Sequence, residues 1–224
     1  TTLGRLWSFI NPLATIAIFA LIFGVVFRGG VEPGRNSGID SFALWIGIGV
    51  LSWTFFSSGI MASMNALVNN SGLLTKVYFP RQVLIYSAVL SLAVDFAFEL
   101  LVLVIIAMIL GGPGVLAMIP ALLVVTVLVG MFAVGLGLML SIATVYFRDL
   151  GHLWQIFNQM WMYASGVVFP LTMVNKVQND LFDKGWQVNG GPIPLTTILR
   201  LNPAETYLEA FRSCLYDFAL PSQP

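Results

Sequence analysis

Four stretches of this chain contain no Asp, Glu, Lys or Arg: residues 6–27, 41–75, 100–147 and 150–175. A helix crosses a hydrocarbon core of about 30 Å in about 20 apolar residues, because it rises about 1.5 Å per residue. Each stretch is long enough to hold a crossing, and the third is long enough for two. With 58% hydrophobic and 9% charged residues, the chain departs from the soluble averages of about 45–50% and about 25% in the direction of a bilayer. The apolar runs are continuous, not alternating, which argues against the ~10-residue strands of a barrel. A backbone exposed to lipid must satisfy its own hydrogen bonds, so helices are the remaining solution. The expected fold class is all-α: one polytopic transmembrane helix bundle over residues 1–224.

Charges, Gly and Pro divide the runs. The first span is expected at about 9–27, opened by Asn11-Pro12, where a missing N–H costs little. GGVEPGRNSGIDS at 29–41 reads as a loop. A second span covers 42–67, and Asn69-Asn70-Ser71-Gly72 breaks it. A third covers 83–110, the GGPG at 111–114 makes a tight hairpin, and a fourth covers 115–144. Arg148-Asp149 ends that run, and a fifth span is expected over 153–169. From 171 to 221 the chain becomes polar and irregular. Within it, Ala204, Tyr207, Leu208, Phe211 and Leu215 share one side of a helix expected over 203–219, with Glu205, Glu209 and Arg212 opposite. That pattern reads as an amphipathic helix at the membrane surface. Basic residues fall on both sides of the spans, so loop charge does not set the orientation.

The sequence also excludes functions. Ten basic and ten acidic residues cancel, leaving no basic stripe for nucleic acid. One cysteine, Cys214, cannot form an internal disulfide, and one histidine, His152, cannot build a metal site alone. No GxxxxGK[ST] phosphate loop is present, and no Ser/His/Asp or zinc-ligand set can be assembled. Neither catalysis nor a metal or cofactor on this chain is therefore expected. No signal-peptide pattern opens the sequence, and Thr1 in place of Met makes a missing start the expectation.

Five segments, in order, carry a resemblance: RLWSFINPL at 5–13, NNSGLLTKVYFPR at 69–81, SIATVYFRD at 141–149, VVFPLTMV at 167–174 and LNPAETYLEAFR at 201–212. Their order and spacing resemble the permease subunits of ABC-2 type exporters for O-antigen, teichoic acid and other lipid-linked glycans. The resemblance implies a subunit in the bacterial cytoplasmic membrane that pairs with a second copy of itself. It also implies a separate ATP-binding ABC subunit that holds ATP and Mg, and a lipid-linked polysaccharide as cargo. It places Arg5, Lys76–Arg81 and Arg148 on the cytoplasmic side and 171–221 outside. Family members have six spans, so the expectation is five spans here with the sixth truncated. The alternatives are an ABC-2 permease for drugs or small lipids, a membrane enzyme acting on polyprenyl-linked sugars, and a structural subunit. The enzyme would need a basic diphosphate clamp that no Arg/Lys cluster supplies.

Candidate site residues fall into two groups. In 69–81, Leu73, Leu74, Val77, Tyr78 and Phe79 lie close to Lys76 and Arg81, an apolar anchor with a charged rim. By resemblance this is the helix that couples to the ATPase, while the residues alone favour an interfacial loop with aromatic anchors. Arg148 and Asp149 either cap a helix at the membrane boundary or contact the same partner. The second group is the expected substrate path. Asp95 and Glu99 share one face of the third span, with Asp95 about 18 Å from its start, where a carboxylate costs several kcal/mol unless paired, protonated or wetted. Trp154, Phe157 and Trp161 share a face of the fifth span, with Tyr163 nearby. Such rings can stack on sugars while Asn158 and Gln159 bind hydroxyls, or can simply pack. Trp53, Phe55 and Phe56 carry the same two readings. Ala133, Gly137 and Ser141 recur every four residues and are expected to let helices approach closely.

Overall fold

The computed structural model describes residues 10, 13–19, 21–22, 32–74, 76, 78, 80–147, 149–184, 187–188, 191–192 and 194–221. Residues 9, 11–12, 20 and 23–27 of the expected first span lie outside these residues. Its helical part, 13–19, lies against the bundle, with Ile16 packed over Gly47.

The described helices are α1 (Phe42–Asn69), α2 (Ser71–Leu74), α3 (Gln82–Gly111), α4 (Ile119–Tyr146), α5 (Leu150–Ala164), α6 (Leu171–Asp183), α7 (Leu195–Arg200) and α8 (Pro203–Leu215). A 3-10 segment, Pro113–Met118, leads into α4, and two-residue strands Gln187–Val188 and Gly191–Pro192 pair antiparallel between α6 and α7. Among the described residues the fold is all-α apart from that clip. Three helical stretches, Phe42–Asn69, Gln82–Gly111 and Pro113–Tyr146, are long and apolar enough to cross a membrane.

These three are not equivalent. In its most apolar window α1 is 72% buried, against 28% for α3 and 22% for the stretch through α4. Thus α1 is the central pillar, and α3 and α4 turn their other sides outward. Leu90, Val94, Leu101, Ile105 and Ile109 of α3 and Leu123, Val127, Met131, Met139 and Ile142 of α4 are exposed. An apolar surface of that extent suits hydrocarbon and not water.

Small residues set the closest contact. Ala133, Gly137 and Ser141 of α4 are all buried. A methyl built at Gly59 of α1 would lie 3.2 Å from Ala133 Cβ, and one at Gly137 would overlap Ser63 Cβ. Backbones meet there because side chains are nearly absent, which is how membrane helices gain dispersion contact. Elsewhere aromatic rings fill the seams. Phe55 of α1 stacks on Phe96 of α3 with centroids 4.4 Å apart, and Phe96 meets Phe211 of α8 edge-on at 5.6 Å.

Each end of the bundle has its own cast. Ser41 caps α1 by accepting from Leu44 N at 3.4 Å. The loop before it closes on the end of α8: Arg35 N donates to Asp217 Oδ1 at 3.1 Å, Asn36 N to Asp217 O at 3.2 Å, and Tyr216 Oη to Glu32 O at 3.3 Å. The GGPG hairpin between α3 and α4 joins them. Gly112 turns with φ 91°, and a methyl on Gly111 would strike Ile39 and Phe218 at 2.8 and 2.9 Å. The 32–41 loop, the hairpin and the α8 tail therefore share one end. The α1–α3 connection and the α4–α5 connection lie at the other.

Two elements differ from the sequence expectation. Within 153–169 the helix starts earlier, at Leu150, and stops at Ala164. Its 15 residues reach about 22 Å, short of a ~30 Å core, and Gly166 turns the chain with φ 63°. The second is α8, which ends at Leu215 and packs against α1, α4 and α3. Glu205 and Arg212, expected on a polar outer side, are 4% and 3% exposed. The periodic apolar residues identify a helix but not how many sides of it are covered.

Candidate functional site

The 69–81 segment begins where α1 ends. Asn70 Nδ2 donates back to Ala66 O at 2.8 Å, which helps stop the helix. The four-residue α2 follows. Lys76, Tyr78 and Arg81 are all exposed, Tyr78 completely. Phe79, Val77 and Arg148, and the side chains of Leu73 and Leu74, lie outside the described residues. Across the same end, Tyr146 and Phe147 are 78% and 71% exposed, and exposed Asp149 precedes the first residue of α5. This end thus presents aromatic and charged side chains together.

An open groove of about 380 Å³ runs beside α1. Its lining is Ser57, Ser58, Met61, Ala62, Asn65 and Asn69 of α1, with Leu92 of α3. This stripe is the polar counterpart to the apolar outer faces of α3 and α4. Asp95 and Glu99 follow Leu92 at i+3 and i+7, so they lie on the same side of α3 as the groove residue. Asp95 is exposed and Glu99 half-buried. Among the described residues neither has an ion-pair partner.

The aromatic residues of α5 meet the same pillar. Trp154, Phe157 and Trp161 form a continuous cluster, with centroids 5.3 Å apart for the first pair and 5.6 Å for the second. Trp161 stands edge-on to Trp53 at 6.0 Å and to Phe56 at 5.3 Å. Asn158 Nδ2 donates to Ser57 Oγ at 2.7 Å, and Trp161 Nε1 to Asn202 Oδ1 at 2.8 Å. Ser57 also lines the groove, so Asn158 is tied to it. Asn158 and Trp161 use these donors to join α5 to α1 and α8. Trp154 Nε1 and Asn158 Oδ1 are buried with no hydrogen-bond partner among the described residues.

Sequence reasoning missed the most constrained polar residue. Arg212 donates through Nη2 to Gly166 O at 3.1 Å and Val167 O at 2.9 Å, and through Nη1 to Glu209 Oε1 at 3.0 Å. Its guanidinium lies 3.6 Å over the Trp45 ring, a desolvated cation–π contact. Burial pushes its pKa below the usual range, while the Glu209 carboxylate beside it pulls the other way. Burial also raises Glu205 to about 7, with Glu209 adding to the rise and Arg212 and Arg200 opposing it. The available signal was Arg212 itself, seven residues from Glu205 and so on the same flank of the helix.

The family model described as ABC-2 type transporter matches residues 1–179, most of the chain. The chain belongs to the ABC-2 type transporter family. It is therefore the membrane component of a transporter and not an enzyme, and the family implies a separate ATP-binding partner. This ABC-2 chain is similar to the O-antigen export system permease protein RfbA of Myxococcus xanthus, 28% identical over 220 residues. The match covers 98% of this chain and 75% of that protein. It is also similar to the protein of the same name from Klebsiella pneumoniae, 24% identical over 172 residues, covering 77% of this chain and 63% of that protein. The ABC-2 chain thus spans about three quarters of one relative, and its match spans just under two thirds of the other.

Proposed function

We propose that this chain is the permease subunit of an ATP-driven exporter that carries lipid-linked polysaccharide across the bacterial cytoplasmic membrane. The observation that carries the reading is the match, over 98% of the chain, to a permease named for O-antigen export. The physical features agree with it. A polar stripe on the central helix, with two carboxylates on the adjoining face of α3, offers hydrogen-bond acceptors and donors to sugar hydroxyls along an otherwise apolar bundle. The aromatic seam of α5 lies beside that stripe through Asn158 and Ser57.

In this mechanism the chain works as a homodimer with two ATPase subunits, since one copy is small to enclose a polymer. The ATPases close on ATP and push on the 69–81 segment, with Leu73, Leu74, Tyr78 and Phe79 as anchor and Lys76 and Arg81 as rim. Arg148 and Asp149 take the same push at the start of α5. The helices tilt, and the groove opens to a diphosphate-linked lipid and its glycan. No bond in the cargo is made or broken.

The test is reconstitution with the cognate ATPase in proteoliposomes, with fluorescent glycan lipid supplied on the ATPase side. ATP-dependent appearance of the label on the far side is the expected result. Export of small amphiphilic drugs with no movement of glycan lipid would overturn the reading.

A further inference from the structure

Arg212 sits where three parts of the molecule meet: α8, which carries both it and Glu209, Trp45 and Gly49 of α1, and the turn that ends α5. The turn needs it. Once α5 stops at Ala164, the carbonyls of Gly166 and Val167 leave the helical ladder while still buried. Irregular backbone at that depth persists only where a donor satisfies it. One Arg212 nitrogen serves both carbonyls, at 3.1 and 2.9 Å. Gly49 makes room for this: a methyl there would stand 2.6 Å from Arg212 Nη2 and 3.0 Å from the Val167 carbonyl. A second tie lies ten residues earlier on α8. Asn202 Nδ2 donates to Ala164 O at 3.2 Å and Ser165 Oγ at 2.9 Å, while its Oδ1 caps α8 through Ala204 N at 3.1 Å.

We propose that Arg212 is a positioning residue of the transport cycle, a clamp that makes the end of α5, the first half of α1 and α8 move as one body. The consequence concerns α5. Its first residue follows Asp149 at the end assigned to the ATPase, and its last is held by α8 at the opposite half. A push at Asp149 is therefore delivered through the clamp to the far-side segment. That part rests on the exporter reading above; the clamp itself does not.

The experiment uses the full chain in nanodiscs on a Cys214→Ala background, with spin labels at two exposed positions, Gln155 of α5 and Thr206 of α8. In the otherwise native protein the interlabel distance distribution is expected to be narrow. Arg212→Gln shortens the side chain and removes the charge and three of the donors, and is expected to broaden the distribution. An Arg212→Gln distribution as narrow as the native one overturns the clamp, whatever the cargo proves to be. The second measurement needs no change at Arg212: with the ATPase bound, this distance stays fixed between nucleotide-free and ATP states. A change in it overturns the proposal even if Arg212→Gln does not fold. In the reconstituted complex Arg212→Gln is expected to keep ATP hydrolysis within about twofold of native while export falls on the order of tenfold. Arg212→Lys restores export only in part, because an ammonium has no planar face to lie on the indole and no second nitrogen to hold Glu209 while the first serves the carbonyls. If ATP moves no helix at all, the exporter reading fails and the nucleotide-free comparison still decides the clamp.

Discussion

Replacing Gly137 by Ala is the sharpest perturbation of the bundle. The new methyl would overlap Ser63 Cβ, come 2.8 Å from Ser63 Oγ and 3.5 Å from Ser63 Cα. Ser63 is buried and its hydroxyl donates to Gly59 O at 2.7 Å, and no change of rotamer moves its Cβ out of the way. The helices must move apart by a fraction of an ångström to about one ångström, and the neighbouring Gly59–Ala133 contact loosens with them. Overpacking of this kind costs about 1–3 kcal/mol. For a chain of this size that is a fall in Tm of about 3–10 °C. Tryptophan fluorescence melting in a fixed detergent measures it. Two controls make the explanation specific. A methyl at Gly135, two residues away, meets nothing within 4 Å, so Gly135→Ala is expected to be neutral or slightly stabilising through helix propensity. Ser63→Gly combined with Gly137→Ala moves the missing side chain across the same contact and is expected to recover most of the loss. A Gly137→Ala protein that melts with the native one, or a double variant no better than the single, would refute close backbone approach as the basis of the α1–α4 contact.

Three further outcomes are expected. Asp95→Asn with Glu99→Gln should leave the Tm within about 2 °C of native and lower glycan-lipid export several-fold, since these carboxylates adjoin the groove without an ion-pair partner; unchanged export would remove them from the path. Lys76→Glu or Tyr78→Ala should weaken co-purification of the ATPase about tenfold while the permease remains folded, and undiminished co-purification would take the 69–81 segment out of the interface. Glu205, raised by burial to about 7 from 4.5, is held more tightly as the neutral acid in the fold than in the unfolded chain. Its contribution is therefore fully present below about pH 4.5 and is lost as pH rises through about 7. The native Tm should fall between pH 5 and pH 8 more than that of Glu205→Gln, and parallel curves would exclude Glu205 as the cause.

Much of the architecture was legible in one dimension. Charge-free runs mark where lipid-compatible helices can lie: α1 falls within 41–75, and the later part of α3 and all of α4 share 100–147. Gly and Pro mark the breaks: GGPG at 111–114 forms the hairpin because Gly112 needs a positive φ and Pro113 opens the next turn. Asn202-Pro203 starts α8 because an Asn side chain can cap a first-turn amide, and it does so at Ala204 N. The recurring Ala133, Gly137 and Ser141 announced a close approach before any partner was known.

Partners were decided by tertiary structure alone. In a soluble protein apolar periodicity separates inside from outside, but in a bilayer both are apolar. Nothing in their composition therefore told that α1 is the pillar while α3 and α4 face outward. The same loss of contrast let the fifth run read as a full crossing, although the helix ends at Ala164 once Arg212 and Asn202 are there to receive the freed groups. Arg212 read as a solvent-facing charge because a guanidinium is costly to bury. Its burial holds only because two carbonyls and an indole face from distant parts of the sequence converge on it beside the carboxylate of its own helix. Such a meeting of three segments is a property of the folded chain and has no local signature.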